Sequence, residues 1–365
     1  MKTRITAILL LLCCIPSAAQ TVITTYTPGI NAEGAAYYLP KTAINISITT
    51  EKTAYIPGEL CQYADRFLRI NNISNKESTY YAIKSVEFHT EGLPDESKLY
   101  HILFAENTIA PLVSMTESGI LHAINATVSE ERPVNTPQPT VTPQHTLSPR
   151  SYMTEEMLLT GSKAKLAELV AKEIYSIRES KNLIIRGQNE NMPKDAESLQ
   201  IILAGLQEQE EALTQLFTGT TTTETSTQTY QVIPAESADK IIIGRFSRKL
   251  GLLHADDLAG EPIYIDIKSK HNASFAPIAP VGENTTVKKS KKSNKDANKQ
   301  DGLVYNLPGK AEVSLYTNTQ VLAEELLTLG QFGHTETLSS TLFTKKKNIK
   351  VILDPITGAL LKVEE

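Results

Sequence analysis

The chain of 365 residues has no tryptophan, and aromatic side chains make up only 6% of it. Proteins that hold sugars usually stack them on large aromatic faces, so this lack counts against a sugar-stacking groove. Tyrosine, with 14 copies, is the one plentiful aromatic. Cysteine is scarce too: of three copies, Cys13 and Cys14 lie near the N-terminus and Cys61 stands alone. Once the N-terminal leader argued below is removed, no intrachain disulfide can form, and stability must come from buried apolar area. Long apolar runs are also missing. The stretch 5–12, even extended through Cys13, Cys14 and Ile15, falls short of the ~20 residues that cross a bilayer as a helix. No integral membrane span is expected.

Catalytic and nucleotide-binding signatures are equally absent. The sequence contains no H-E-x-x-H, no G-x-S-x-G, no phosphate-cradling G-x-x-x-x-G-K-[ST] and no G-x-G-x-x-G, and none of C-x-x-C beyond the leader. The seven histidines never fall three or four residues apart, so no helical or strand pair of metal ligands is suggested. No cofactor and no metal are expected. Carboxylate pairs of glycosidases need no fixed spacing, so a hydrolase is not excluded by these searches.

What is present begins with the leader. Lys2 and Arg4 precede the apolar stretch, Pro16 ends it, and Ser17-Ala18-Ala19 offers the small residues a signal peptidase cuts after. Residues 1–19 therefore read as a signal peptide. A lipid anchor at Cys13 or Cys14 is the less favoured alternative, because Leu12 or Cys13 stands where that cleavage wants a small residue. Without Lys2 and Arg4, 34 basic residues face 41 acidic ones, a net charge near −7. That balance disfavours nucleic acid or an anionic membrane surface as a partner.

Residues 21–127 read as a β-rich domain. In "TAINISITTEKTAY", Ile44, Ile46 and Ile48 alternate with Asn45, Ser47 and Thr49, the period-two pattern of a half-buried strand. "STYYAIKSVEFHTE" and "KLYHILFA" predict two further strands separated by the turn-rich "GLPDES", and "ESGILHAIN" another. Within this segment, "PGELCQYADRFL" predicts a Pro57-Gly58 turn and a short helix near 60–69. Residues 128–152, with five prolines among the last twenty or so, read as a Pro/Thr-rich linker. Residues 153–219 predict an antiparallel helical hairpin. Leu166, Leu169, Val170, Ile174 and Ile177 form one apolar stripe, with Gly187 as its stop. Leu199, Ile202, Leu203, Leu206, Leu213, Leu216 and Phe217 form the second, with Gly219 after it. Two helices cannot cover both stripes, so one face is expected to pack on a sheet. Residues 220–365 predict a second β-rich domain, closing with a hairpin around "DPITG" and carrying a Lys-rich mobile loop at 282–302. The fold class expected is α+β, with two β-rich, sandwich-like halves connected by the helical hairpin.

Several stretches taken together carry a resemblance: "YYLPKTAINISITTEKT", "PGELCQYADRFL", "AKEIYSIRESKNLIIRG", "LQEQEEALTQLFTG", "GRFSRKLGLLHADDLAGEPIYI" and "DPITGAL". The set resembles a Bacteroidota family of exported proteins defined by a domain of unknown function. The resemblance spans most of the mature chain and assigns no catalytic residue. It implies a Gram-negative source and a periplasmic or surface location.

Two places hold candidate chemistry. His254, Asp256 and Asp257 in "LLHADDLAGEP" are the densest cluster of ionisable types. They suit a metal or acid–base site in a loop, or, more simply, a capped turn before the strand that starts at Pro262. Cys61 could be an activated thiol near a helix start. Its spacing with Ala64, Phe67 and Leu68 instead marks a buried helical stripe, in which Cys61 is expected to act as a small buried hydrophobe. The leading functional expectation is a non-catalytic, exported envelope protein that binds or scaffolds an envelope protein or a glycan. The alternative is a hydrolase of glycans or peptidoglycan, with carboxylates brought together by folding.

Overall fold

The computed structural model describes residues 22–25, 34–103, 112–128, 148–188, 195–270, 299–300, 302–339 and 349–364. Two very long strands dominate it, β2 (Gly34–Ile56) and β3 (Ser78–Leu103), paired antiparallel. At about 3.3 Å per residue, the 23 residues of β2 extend on the order of 75 Å. β1 (Val22–Thr25), β10 (Lys299–Gln300) and β6 (Thr220–Val232) complete the first sheet in the order β10-β1-β3-β2-β6. A second sheet has the order β12-β11-β9-β7-β8. Its strands are β7 (Ala238–Ser247), β8 (Gly251–Leu253), β9 (Glu261–Lys270), β11 (Gly302–Tyr316) and β12 (Val321–Ser339). The third, β14-β13-β5-β4, joins β4 (Val113–Met115), β5 (Leu121–Ile124), β13 (Lys350–Leu353) and β14 (Leu360–Glu364). The named strand pairs are all antiparallel.

The protein is therefore β-rich, and the strands of 21–127 and 220–365 do not segregate into two halves. β6 and β10 lie in the first sheet beside β2 and β1, while β13 pairs with β5. Alternation along a strand reports which face is buried but is silent about which strand lies beside it. The "GLPDES" stretch also differs from expectation, because the chain does not turn back there. Tyr38 opposes Leu99 while Pro40 opposes Pro94, so residues 95–98 bulge out opposite Leu39 alone. The Asp95 carboxylate accepts hydrogen bonds from the Ser97 amide (3.1 Å) and hydroxyl (2.6 Å), giving the bulge its local turn. Turn chemistry is thus spent inside a strand whose partner holds it straight on both sides.

Three buried clusters follow from this layout. Ile44, Ile46 and Ile48 of β2 meet Ile263, Ile265 and Ile267 of β9 and Ala311, Val313 and Leu315 of β11, joining the first sheet to the second. Further along the same two long strands, Tyr37 and Leu39 of β2 and Leu303, Val304 and Tyr305 of β11 pack with Leu121, Ile124, Val351 and Leu353 of the third sheet. Each fully buried isoleucine contributes about 1.5–3 kcal/mol, several times what an exposed ion pair such as Lys52–Glu224 supplies, so the sheet faces dominate stability.

The third cluster is helical. α3 (Lys163–Ile185) and α4 (Ala196–Thr218) pack with α2 (Glu155–Leu159) and with the turn and short helix α1 (Ala64–Leu68) at the tip of the β2–β3 pair. Leu60, Ala64 and Leu68 meet Val170, Ile174, Leu213 and Phe217 there. The stripes of the long helices are covered by this tip rather than by a sheet face, which corrects the expectation above. Cys61 is half-buried beside the stripe, and the positions that face inward are Leu60, Ala64 and Leu68. Gly58 allows the close approach, because a Cβ there would run into the Leu216 carbonyl that accepts the Leu60 amide at 2.8 Å. The Tyr55 hydroxyl lies 2.9 and 3.0 Å from the Ser74 and Thr218 carbonyls, locking the helices to the sheet.

One polar junction touches all three sheets. The buried Asn306 carboxamide of β11 donates to the Pro40 carbonyl of β2 (3.1 Å) and to the Thr357 carbonyl in the turn after β13 (2.9 Å). The Asn306 amide donates to the Gly358 carbonyl at 2.9 Å, and the Thr42 hydroxyl donates to Ile356 O at 3.0 Å. Asp354 caps the turn by accepting from the Ile356 and Thr357 amides and the Thr357 hydroxyl. Gly358 has φ +76°, and any side chain on it would meet Asn306 and Pro40, which explains the glycine of "DPITG". Replacing Asn306 with Ala is expected to leave two buried carbonyls unpaired and cost about 1–3 kcal/mol. Asn306→Asp, which sets a carboxylate against those carbonyls, is expected to cost more. Urea unfolding checks both: midpoints should fall in the order wild type, Ala, Asp.

Candidate functional surface

His254, Asp256 and Asp257 fall in the connection between β8 and β9. His254 Nδ1 lies 3.2 Å from Asp256 Oδ2, and their side chains are 82% and 92% exposed. The Asp257 amide donates to the His254 carbonyl, and the Asp257 carboxylate accepts the Ala259 amide at 3.0 Å. The geometry is that of a self-capped turn open to water. Arg245 secures it from below, donating to the Ala255 and Gly260 carbonyls at 2.8 and 3.1 Å. Among the described residues no group of three or more His, Cys, Asp and Glu side chains is placed to hold a metal ion. The Lys-rich loop at 282–302 lies outside the described residues except for 299–300, which form β10, and Gly302, which starts β11.

A tighter polar site, marked by no motif, occupies the outer face of the second sheet. Asp266 of β9 accepts the Lys240 amide and the Tyr316 hydroxyl, both at 2.8 Å, and pairs with Lys268 at 3.2 Å. Burial opposes its charge, but these donors outweigh burial and hold Asp266 below the usual carboxylate range. The same hydrogen bond, more than burial, pushes the Tyr316 hydroxyl up to about 12. The Tyr316 ring stacks on Tyr264 with centroids 5.5 Å apart. Lys240 adopts φ +56° where β7 slips register against β9, so Asp266 clamps a strained bulge. These contacts tie β7, β9 and β11 together on that face, the geometry of a structural brace. Period-two geometry puts Tyr264, Asp266 and Lys268 on one face of β9, and strand order brings Lys240 of β7 and Tyr316 of β11 to them.

The helices show a different kind of feature. Glu210 of α4 is held between Arg178 (2.6 Å) and Lys181 (2.7 Å) of α3, and Lys181 also donates to Gln207. Beyond this lock, toward the start of α4 and the end of α3, burial is less complete: Ile184 is buried and Leu206 packs against the helical cluster, while apolar side chains beside them are exposed. Residues 195–211 include no buried side chain, although Leu199, Ile202, Leu203 and Leu206 continue the stripe that buries Leu213 and Phe217. Leu183 and Ile185 at the end of α3 are 40% and 71% exposed, and Ile201 and Ile202 near the start of α4 are 67% and 42% exposed. Leu158 and Leu159 of α2 are exposed as well. No helix among the described residues is long and apolar enough to cross a membrane.

Antiparallel sheets sharing strands from both ends of the chain, with a helical unit at the tip of the longest strand pair, define a β-rich protein with few helices. The chain belongs to the family described as Domain of unknown function (DUF4831), matched over residues 33–361. That range takes in the long strands, the helices and the "DPITG" junction. No curated protein and no solved structure matches the chain.

Two outcomes are expected. Substituting Ala for His254 or Asp256 should shift unfolding free energy by no more than about 0.5 kcal/mol, as at other exposed sites. Denaturant titration of each variant checks it. Glu210 behaves differently, because hydrogen bonds and charge from Lys181 and Arg178 overcome burial and lower its pKa below the ordinary 4.5. A carboxylate with a depressed folded pKa stabilises the fold above its unfolded value, and that contribution disappears as pH falls through the folded value. Unfolding followed from pH 6 downward should therefore lose stability below about 4.5, and Glu210→Gln should flatten that part of the profile.

Proposed function

We propose that this protein is an exported envelope protein of a Gram-negative bacterium, without catalytic chemistry of its own, that binds or scaffolds a partner protein. The leader at residues 1–19 and the resemblance to exported Bacteroidota proteins support the location. The observation that carries the binding role is the exposure of four apolar side chains at one end of the helical unit, Leu183, Ile185, Ile201 and Ile202. Exposed apolar side chains on neighbouring helices give a partner protein a surface to cover. Their branched aliphatic character fits an apolar protein surface better than a glycan, which asks for aromatic faces and polar donors. The rigid β body then acts as the mount that presents the helices, and the Arg178–Glu210–Lys181 lock fixes their relative position.

Recovery of tagged protein from native envelopes after mild crosslinking tests this reading. A defined partner should co-purify with the wild type and be lost from the double variant Ile185→Glu, Ile201→Glu. Both positions are about 70% exposed, so the variant should retain the wild-type unfolding midpoint. Identical recovery from wild type and a folded variant would overturn the role of this surface. Mass spectrometry of the native N-terminus should find cleavage after Ala19; an intact Met1 would remove the export argument.

A further inference from the structure

β6 is an outer strand: it pairs with β2 along its full length, and no described strand lies on its other side. Single edge strands normally carry a device against pairing, such as lysine, proline, a bulge or short length. β6 has none of these. Its 13 residues run in unbroken register from Thr220 opposite Ile56 to Val232 opposite Ile44. Residues 223–229 are exposed on both faces. Its one charge, Glu224, is already engaged by Lys52 at 3.2 Å. β12, the outer strand of the second sheet, is protected in comparison. It carries Glu324 and Glu325, and its register with β11 shifts twice.

The sequence of β6 is nearly symmetric about Thr225. Residues 223 and 227 are both threonine, as are 221 and 229, while Glu224 mirrors Ser226 and Thr222 mirrors Gln228. We propose that β6 pairs antiparallel with β6 of a second copy about a two-fold axis at Thr225, fusing two five-stranded sheets into one continuous sheet. An isologous contact of this kind needs a self-complementary surface, which the near-palindrome supplies. In this register, threonines face threonines on one side of the sheet. β6 already uses that chemistry against β2, where the Thr227 and Thr49 hydroxyls lie 2.8 Å apart and those of Thr229 and Ser47 3.1 Å apart. On the other side Glu224 meets a Ser226 hydroxyl. Centring the pairing on residue 224 would set glutamate against glutamate, which selects against that register. Strand-edge pairing buries a modest area, so the dimer should form in a concentration-dependent way.

Disulfide trapping tests the geometry in a Cys61→Ser background. Residues directly opposed across antiparallel strands have Cα atoms about 4.5–5.5 Å apart, within the range a disulfide spans. Thr225→Cys should give a disulfide-linked dimer under mild oxidation. Thr221→Cys, which would face Thr229 of the second copy, should give little. Sedimentation velocity over a concentration series provides a second readout. The wild type should shift toward twice its monomer mass as concentration rises, and Thr225→Lys, which sets two ammonium groups face to face, should remain monomeric with an unchanged unfolding midpoint. A wild type that stays monomeric throughout, equal trapping at 221 and 225, or an undiminished dimer in the lysine variant would each overturn the proposal.

Discussion

The Asn306 carboxamide gives its protons to two carbonyls that belong to different sheets, Pro40 of β2 and Thr357 of the turn after β13. Since Asn306 itself sits in β11, three sheets are tied together at one buried residue. Backbone carbonyls buried at a sheet junction have no ladder partner, and each left unpaired costs a large part of the protein's net stability. The asparagine removes that cost, and the DPITG turn exists in a form that delivers Thr357 and Gly358 to it. The apolar clusters lie on either side along β2 and β11, and between them Asn306 spends both carboxamide protons on carbonyls while its Oδ1 is buried without a partner among the described residues.

From this junction the architecture divides along the length of β2. One end packs with the third sheet through Tyr37 and Leu39, the middle packs with the second through its isoleucines, and the far end carries the helices through Leu60, Ala64 and Leu68. The helical unit is thus remote from the sheet cores, with its own buried cluster and its own electrostatic lock at Glu210. That separation accounts for the exposed Leu183, Ile185, Ile201 and Ile202: a unit that rests only on a strand tip has fewer surfaces to cover its apolar side chains. It also leaves β6, which leaves α4 directly and runs back beside β2, as an outer strand with both faces open over residues 223–229.

Where local chemistry decides structure, the sequence was a reliable guide. The alternation of Ile44, Ile46 and Ile48 named the buried face of β2, and Gly219 marked the end of α4. It was misleading where local signals compete with long-range pairing. "GLPDES" has the composition of a turn, yet Gly92, Leu93 and Pro94 stay paired with β2 and the bulge is confined to residues 95–98. Cys61 fits a helical stripe by spacing, but the chain begins as a tighter turn, which rotates the inward positions to Leu60, Ala64 and Leu68. The cluster of His254, Asp256 and Asp257 was legible as a cluster, and folding leaves it in solvent. The Asp266–Tyr316 brace was not legible, because its members lie fifty residues apart and meet only through strand order.

Period and composition by themselves determined that this chain is rich in strands with two long amphipathic helices, that it holds a single cysteine, Cys61, after residue 19, and which faces turn inward. These are properties of short segments, set by backbone geometry and the cost of exposing apolar side chains. Only the tertiary structure decided that strands from both ends of the chain share sheets, that the helices rest on a strand tip, and that β6 is left at an edge. Those outcomes depend on which surfaces meet, and antiparallel pairing energies are nearly blind to the distance along the chain between partners.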